Sequence, residues 1–328
     1  MHTTLVPRSP TVSLERLAAL EAKVARAVTR ARAPATLRAY RSDLVDFGLW
    51  CRTIGLTPLP ATGATVAAYI AELAEPGDDR APAAVATITR RLAALGEGHK
   101  VAGYPNPCTD PLVRETMKGI RRTLGVAQQQ KKPVTTADIR AAVGRLPAGL
   151  QGDRDRVVLL LGFASGMRRS ELAGVDVEHL EHVPDGLLVH LARSKTDQEG
   201  RGRRIEIVYG TDTHTCPVTA VRTWLAVSGL TTGPLLRPVD RHGRVLPHRL
   251  TGQGVALIVQ RHMTLLGHPL GEFAGHSLRR GHATTAARNG ASERTIMRTT
   301  GHTSIETVRS YIDDAELFTD PASKYLGL

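Results

Sequence analysis

The sequence predicts an all-α domain followed by a mainly α domain that carries one small antiparallel sheet, an α+β unit. Three observations predict it. Apolar residues recur at helical spacing through most of the 328 residues. A polar, basic, aperiodic run at 125–133 (GVAQQQKKP) interrupts that pattern. Only two runs after it read as strands, LLVHLA (187–192) and IEIV (205–208), and the Gly-rich turn QEGRGRR lies between them.

Residues 1–12 read as a flexible tail. From Ser13, the residues Leu14, Leu17, Leu20, Val24 and Val28 follow a helical period, and Pro34 stops it. Thr36 is placed to cap a second helix, with Leu37, Tyr40, Leu44 and Phe47 on one face and Arg38 and Arg41 away from it. Thr65–Ala74 predicts a third helix. Val85–Leu95 predicts a fourth, with Val85, Ile88, Leu92 and Leu95 inward and Arg90 and Arg91 outward. Pro111–Leu124 predicts a fifth, with Val113, Met117, Ile120 and Leu124 inward and Lys118, Arg121 and Arg122 outward. The expected division is a helical domain at 13–125, an exposed linker at 126–134 that includes Lys131 and Lys132, and a second domain at 135–328. That domain opens on a capping box, Thr135-Thr-Ala-Asp138. A helix from Asp155 through Leu161 runs into Gly166, and beyond the two strands the pattern is helical to the end.

The chain is basic, with a net charge of +12 and a pI of about 10.2. Nucleic acid is the commonest polyanion that such a surface meets, although an Arg-rich composition alone can produce it. Up to Lys132 there are 19 Lys/Arg against 11 Asp/Glu, so the helical domain is the more densely basic. Cys51, Cys108 and Cys216 are far apart and form no CxxC pair, which argues against a disulfide framework or a zinc knot and for a reducing, cytoplasmic setting. No signal peptide and no long apolar span is expected. There are 13 histidines, but no H-E-x-x-H spacing. Gly162–Gly166 lacks the Gly-Lys-Ser/Thr ending of a P-loop. No metal and no cofactor is expected.

Five features stand in order in the second domain: Gly166-Met-Arg168-Arg-Ser-Glu171-Leu172, Lys195-Thr196, His276-Ser-Leu-Arg279, Gly301-His302, and Tyr311 nine residues later. Arginine forks and imidazoles can surround one phosphate with fixed N–H donors, aimed at the charge that builds when a phosphodiester is attacked. A tyrosine hydroxyl, with an unperturbed pKa of ~10, needs a base or a strong positive field to attack. His276 can take its proton, and Lys195, on a turn, can protonate the departing 5′-oxygen. A phosphotyrosine bond would conserve the phosphodiester energy, so the reaction needs neither ATP nor metal. Singly, each residue has an ordinary reading: Arg168 a surface arginine at a helix end, Lys195 a solvated turn lysine, Tyr311 a core residue beside Val308 and Ile312, and Trp50 and Trp224 core packing.

Taken together, the set resembles the active site of the tyrosine recombinase (phage integrase) family, and most of all its simple, Cre-type members. Arg168 matches the first arginine, Glu171 the acidic residue that buttresses it, and Lys195 the hairpin lysine. His276 and Arg279 match the His-x-x-Arg pair, His302 the Gly-His position, and Tyr311 the nucleophile. His302 departs from the Cre type, which has tryptophan there. The resemblance implies a C-shaped DNA clamp, with a SAM-like core-binding domain opposite the catalytic domain. It implies double-stranded DNA with an inverted-repeat site as partner, bound by a homodimer and synapsed by a homotetramer. Strand exchange would pass through 3′-phosphotyrosine and a Holliday junction. Basic residues expected to meet DNA are Arg38, Arg41, Arg90, Arg91, Lys118, Arg121, Arg122, Lys131, Lys132, Arg201, Arg203 and Arg204. The tail with Leu317, Phe318 and Leu326 either packs on its own domain or docks on a neighbouring subunit. No separate arm-binding domain is expected ahead of the helical one. Two other functions stay open: a type IB topoisomerase-like relaxing enzyme, and a DNA-binding regulator without catalysis.

Overall fold

The structure is a computed structural model that describes residues 23, 33–77, 80–125, 131–191, 202–316 and 322–326. The expected helix between Leu14 and Val28, the strand end at Ala192 and the turn that carries Lys195 and Arg201 lie outside the described residues. The chain divides into two compact units, Met1–Gln129 and Gln130–Leu328.

Every regular element among the first unit's described residues is helical: α1 (Pro34–Thr53), α2 (Gly63–Ala74), α3 (Val85–Val101) and α4 (Pro111–Leu124), with a 3-10 turn at Pro107–Thr109. α1 begins at Pro34 itself, a residue suited to the first turn because it has no N–H to leave unbonded. Thr36 therefore lies inside the helix, and the expected Thr36 cap is replaced by Ala33, which makes no side-chain cap bond. The core is built from Phe47, Cys51, Val66, Tyr69, Ile70, Ile88, Leu95, Val113, Met117 and Ile120. Phe47 meets Tyr69 edge-on at 5.0 Å between ring centroids. Leu37 and Leu44, expected on the inner face of α1, stay 39% and 36% exposed.

The second unit begins with a segment that is tied down, not free. Lys131 Nζ donates to Gly271 O, the Lys132 N–H donates to Glu272 O at 2.9 Å, and Lys132 Nζ pairs with Glu272 at 2.7 Å. Val134 is fully buried, its N–H on Ser277 O at 3.1 Å. The linker expected to be exposed is thus fixed over 131–134. Next comes α5 (Thr136–Gly144), closed by the Thr135–Asp138 capping box in both directions. α6 (Leu150–Ser165) is the central helix, with Val157, Val158, Leu159 and Leu161 at no exposure. α7 (Arg169–Gly174) follows at once.

The sheet has three strands in the order β1 (Leu180–Val183), β2 (Gly186–Leu191), β3 (Arg203–Val208), all antiparallel. β1 was not expected. The β2–β3 register runs from Gly186↔Val208 to Leu191↔Arg203. α8 (Pro217–Ser228) packs on α6 and carries buried Trp224, whose indole N–H donates to Leu235 O at 2.8 Å. Residues 229–251 are irregular, with isolated bridges Asp176↔Pro234 and Val239↔Val245, where continuous helix was expected. α9 (Gly252–Leu265), α10 (Ser277–Arg288), α11 (Glu293–Thr300) and α12 (Ile305–Glu316) complete the unit. Among the described residues no helix is long and apolar enough to cross a membrane.

Candidate active site

Arg168 is placed by a helix end. α6 stops at Ser165, and Gly166 turns the chain with φ +57, a left-handed conformation that suits glycine. A Cβ there would meet the His282 ring at 2.7 Å and Thr300 Cγ2 at 2.9 Å. Buried Met167 anchors the turn, and Arg168 stands as the residue before α7. Its own N–H donates to Glu171 Oε2 at 2.9 Å, and its Nη1 donates to Oε1 of the same carboxylate at 2.6 Å. Glu171 is 7% exposed, a buried carboxylate that needs such partners.

Arg279 lies in the first turn of α10, one turn past His276, and is 3% exposed. Its Nη1 donates to Gly166 O at 2.9 Å and Thr300 O at 2.6 Å, tying α10 to the ends of α6 and α11. Its Nη2 is buried with no partner. Burial, reinforced by repulsion from Arg168, pushes its pKa down to about 10, so it stays charged at neutral pH. Among the described residues no protein acceptor reaches this N–H, which leaves it able to meet an anion. His276 occupies the N-cap position of α10 and is exposed.

Arg203 was expected on the DNA-contact surface, and the structure corrects this. At the start of β3 it turns inward, its side chain 16% exposed. Nη2 donates to Glu171 Oε2 at 2.9 Å and Nη1 to Thr299 O at 2.9 Å. Burial and the neighbouring Arg168 lower its pKa, partly offset by Glu171. Glu171 thus bridges two arginines rather than buttressing one. A side chain at Gly301, which has φ +67, would collide with the Arg203 guanidinium.

His302 and Tyr311 come next. α11 ends at Thr300, and Gly301 turns the chain so that the His302 ring lies 5.6 Å from that of Tyr311, centroid to centroid. Tyr311, in α12, packs beside Val308 and Ile312 on Ala283 and Ile296. The Thr300 hydroxyl donates to Ile296 O at 2.6 Å. Having only one proton, it accepts from His302 Nδ1 at 2.7 Å when that proton is given to Ile296. With the hydroxyl proton on Ile296 O, Nδ1 carries the ring hydrogen and Nε2 is a bare acceptor. Burial, then Arg279, Arg168 and Arg203, push the His302 pKa down to about 3, so the ring is neutral. His302 therefore adds an acceptor to the site in this state, where an N–H donor toward phosphate was expected. His282 donates Nδ1–H to Phe163 O at 2.9 Å, and burial lowers its pKa.

Of the other basic positions, Arg38, Arg41, Arg121, Arg122 and Arg204 are exposed. Lys118 is exposed beside Glu115 at 3.5 Å. Arg90 is paired with buried Asp43. Arg91, expected outward, turns inward to Asp46 and the Tyr69 hydroxyl, its side chain 18% exposed. Its place three residues after buried Ile88 was the signal, because residues three apart share a helix face. Among the described residues no group of three or more potential metal ligands is found.

The phage integrase family profile matches residues 134–317. An integrase/recombinase XerD homolog of Selenomonas ruminantium is 38% identical over 92% of this chain and 88% of its own length. The Cre recombinase of Escherichia phage P1 is 26% identical over 81% of this chain and 80% of its own. Among solved structures, the XerH site-specific recombinase in a post-cleavage complex with its palindromic difH substrate superimposes with a TM-score of 0.63, at 14% identity, over 95% of this chain and 83% of that one. The order of the motif residues, the small antiparallel sheet among helices and the match over more than half the sequence agree: the chain belongs to the phage integrase family, the tyrosine recombinases.

Proposed function

We propose that this protein is a site-specific DNA recombinase that cleaves and rejoins strands through Tyr311. One observation carries the reading: the unpartnered, buried Nη2 of Arg279 lies in the same cluster as Arg168 and the His302–Tyr311 pair, which is a receptor for one phosphodiester beside a nucleophile. In the reaction the Tyr311 oxygen bonds to phosphorus and the P–O5′ bond breaks. The phenolic proton passes to His276, and the 5′-oxygen takes a proton from Lys195. Arg168 and Arg279 stabilise the charge that develops on the equatorial oxygens. The product is a 3′-phosphotyrosine, which the 5′-hydroxyl of a partner duplex reverses, so that exchange proceeds through a Holliday junction. Two protomers would occupy inverted half-sites, and two such dimers would form the synaptic tetramer. Exposed Arg38, Arg41, Lys118, Arg121, Arg122 and Arg204 are the proposed backbone contacts.

The test is covalent trapping. Wild type and Tyr311→Phe are mixed with fragmented genomic DNA, denatured with detergent, and the protein-linked ends are sequenced. Wild type is expected to give ends stacked at one inverted repeat, and the Phe variant none while still binding DNA. Scattered ends would favour a relaxing enzyme, and binding without adduct from either protein would leave only a DNA binder.

A further inference from the structure

We propose that residues 131–134 form a strap that positions His276, and that Arg280 is a positioning residue that fastens it. The proposal rests on the reading of His276 as the base, given above. His276 is the N-cap residue of α10, so the placing of its backbone decides where its ring can reach. The strap runs against residues 271–281, on both sides of it in sequence. Lys131 Nζ donates to Gly271 O, the Lys132 N–H to Glu272 O at 2.9 Å, and the Val134 N–H to Ser277 O at 3.1 Å. Lys132 Nζ also pairs with the Glu272 carboxylate at 2.7 Å. One bond runs the other way: Arg280 Nη1, one turn past His276, donates to Lys131 O at 2.9 Å. The fit is close, since a Cβ at Gly281 would lie 2.0 Å from Val134 O. A second contact holds the residue before His276. A Cβ at Gly275 would meet Arg169 Cδ at 2.7 Å and Ala256 Cβ at 3.3 Å. The loop between is braced by Gln260 Nε2 on Phe273 O at 3.1 Å and by the Ala274 N–H on Ser277 Oγ at 3.0 Å.

Arg279 does not depend on the strap in the same way. Its guanidinium is fixed from two other helix ends, through Gly166 O at 2.9 Å and Thr300 O at 2.6 Å. Slackening the strap should therefore displace the base and spare the phosphate receptor. A double-mutant cycle reads this directly, because two residues that act through one another do not give independent effects. The rate measured is single-turnover cleavage of a duplex that carries the site recovered by covalent trapping. His276→Ala should lower it about 10²-fold, the scale of a lost general base. Arg280→Met should lower it about 10-fold, less than the ~10²-fold that a misplacement of about 1 Å costs, with DNA affinity unchanged. In the His276→Ala background Arg280→Met should cost nothing further. Glu272→Gln, which weakens the strap at its exposed ion pair, covers the case in which the Met variant does not fold. It should lower the rate about 3-fold, as befits a partly exposed pair, and this loss too should vanish without His276. If Arg280→Met lowers the rate by the same factor in both backgrounds, the strap supports the unit in general and the proposal is overturned. A fall in DNA affinity, with a salt slope reduced by about one, would make Arg280 a phosphate contact and overturn it as well. If wild type forms an adduct but His276→Ala cleaves as fast, the base assignment falls and takes this inference with it. If wild type forms no adduct, the recombinase reading itself falls.

Discussion

The Thr300 hydroxyl sits between the Ile296 carbonyl and the His302 ring, and its single proton decides which ring nitrogen is bare. Thr300→Val should leave the Nδ1–H without an acceptor and free the ring. We expect cleavage to drop about 10-fold, at the scale of one lost hydrogen bond of ~1.4 kcal/mol, with Thr300→Ser close to wild type. Ring 15N shifts of His302 should show Nε2 unprotonated in wild type and a tautomer mixture in the Val variant. The same ring makes stability depend on pH. Its folded pKa is about 3 against 6.5 for the free side chain, so between those values the unfolded chain binds the extra proton. Stability is therefore full above about pH 6.5 and falls as pH is lowered through that window. His282 is lowered too and acts in the same direction. Denaturant midpoints measured from pH 7.5 to 4.5, at roughly half-unit steps, should fall, and less steeply in His302→Asn. The candidate site residues were legible only as a set, because singly each has an ordinary reading and it is their order and spacing that make the motif. Arg203 was not, because in a basic run such as GRGRR an inward arginine looks like its outward neighbours; only the alternation with Ile205 and Ile207 marks it.

Among the elements, α5 carries a capping box that was readable from four residues. Thr135→Ala should remove the two bonds of the hydroxyl, from the Asp138 N–H and to the Asp138 carboxylate, while the backbone N–H of residue 135 stays on Asp138; it should cost about 1 kcal/mol, read as a fall in melting temperature of about 2–4 °C for a unit of this size. β1 escaped the sequence because it is four residues long with only its ends half-buried, too short for a period of two to show. The stretch 229–251 was read as helix although Gly233, Pro234, Pro238, Gly243 and Pro247 punctuate it. Its backbone is held instead by separate bonds: the Leu235 N–H donates to Val175 O at 3.0 Å, the Leu246 N–H to Pro238 O at 2.9 Å, and Arg237 Nη2 to Thr232 O at 2.9 Å. Proline removes the donors that a helix would need there.

For the whole molecule, two units with separate cores and an excess of positive charge bear on DNA binding. Affinity should fall about 10³-fold between roughly 50 and 200 mM salt, measured by fluorescence anisotropy on one duplex. A nearly flat response would remove the exposed arginines of the first unit from the interface. Replacing Arg121 and Arg122 with Ala should flatten the slope by about one unit for each phosphate that is no longer neutralised, with little change in the choice of site. Family membership was legible at this scale because the chemistry is spread over 144 residues, from Arg168 to Tyr311, in a fixed order that chance does not readily produce.

The bridge made by Glu171 sets a charge balance. Among the described side chains, Arg168, Arg203 and Arg279 face a single carboxylate, leaving two positive charges in excess. A bound phosphodiester brings one negative charge, so the ground-state complex stays positive. At the pentacoordinate midpoint, once the phenol has given up its proton, the phosphoryl oxygens and the tyrosine oxygen together carry two. With the phenolic proton held on His276, as proposed above, the site keeps its excess positive charge while the negative charge on the reacting oxygens grows from one to two, so the pull of the arginines is greatest at the top of the barrier and not at binding, which is where an enzyme gains rate rather than mere occupancy.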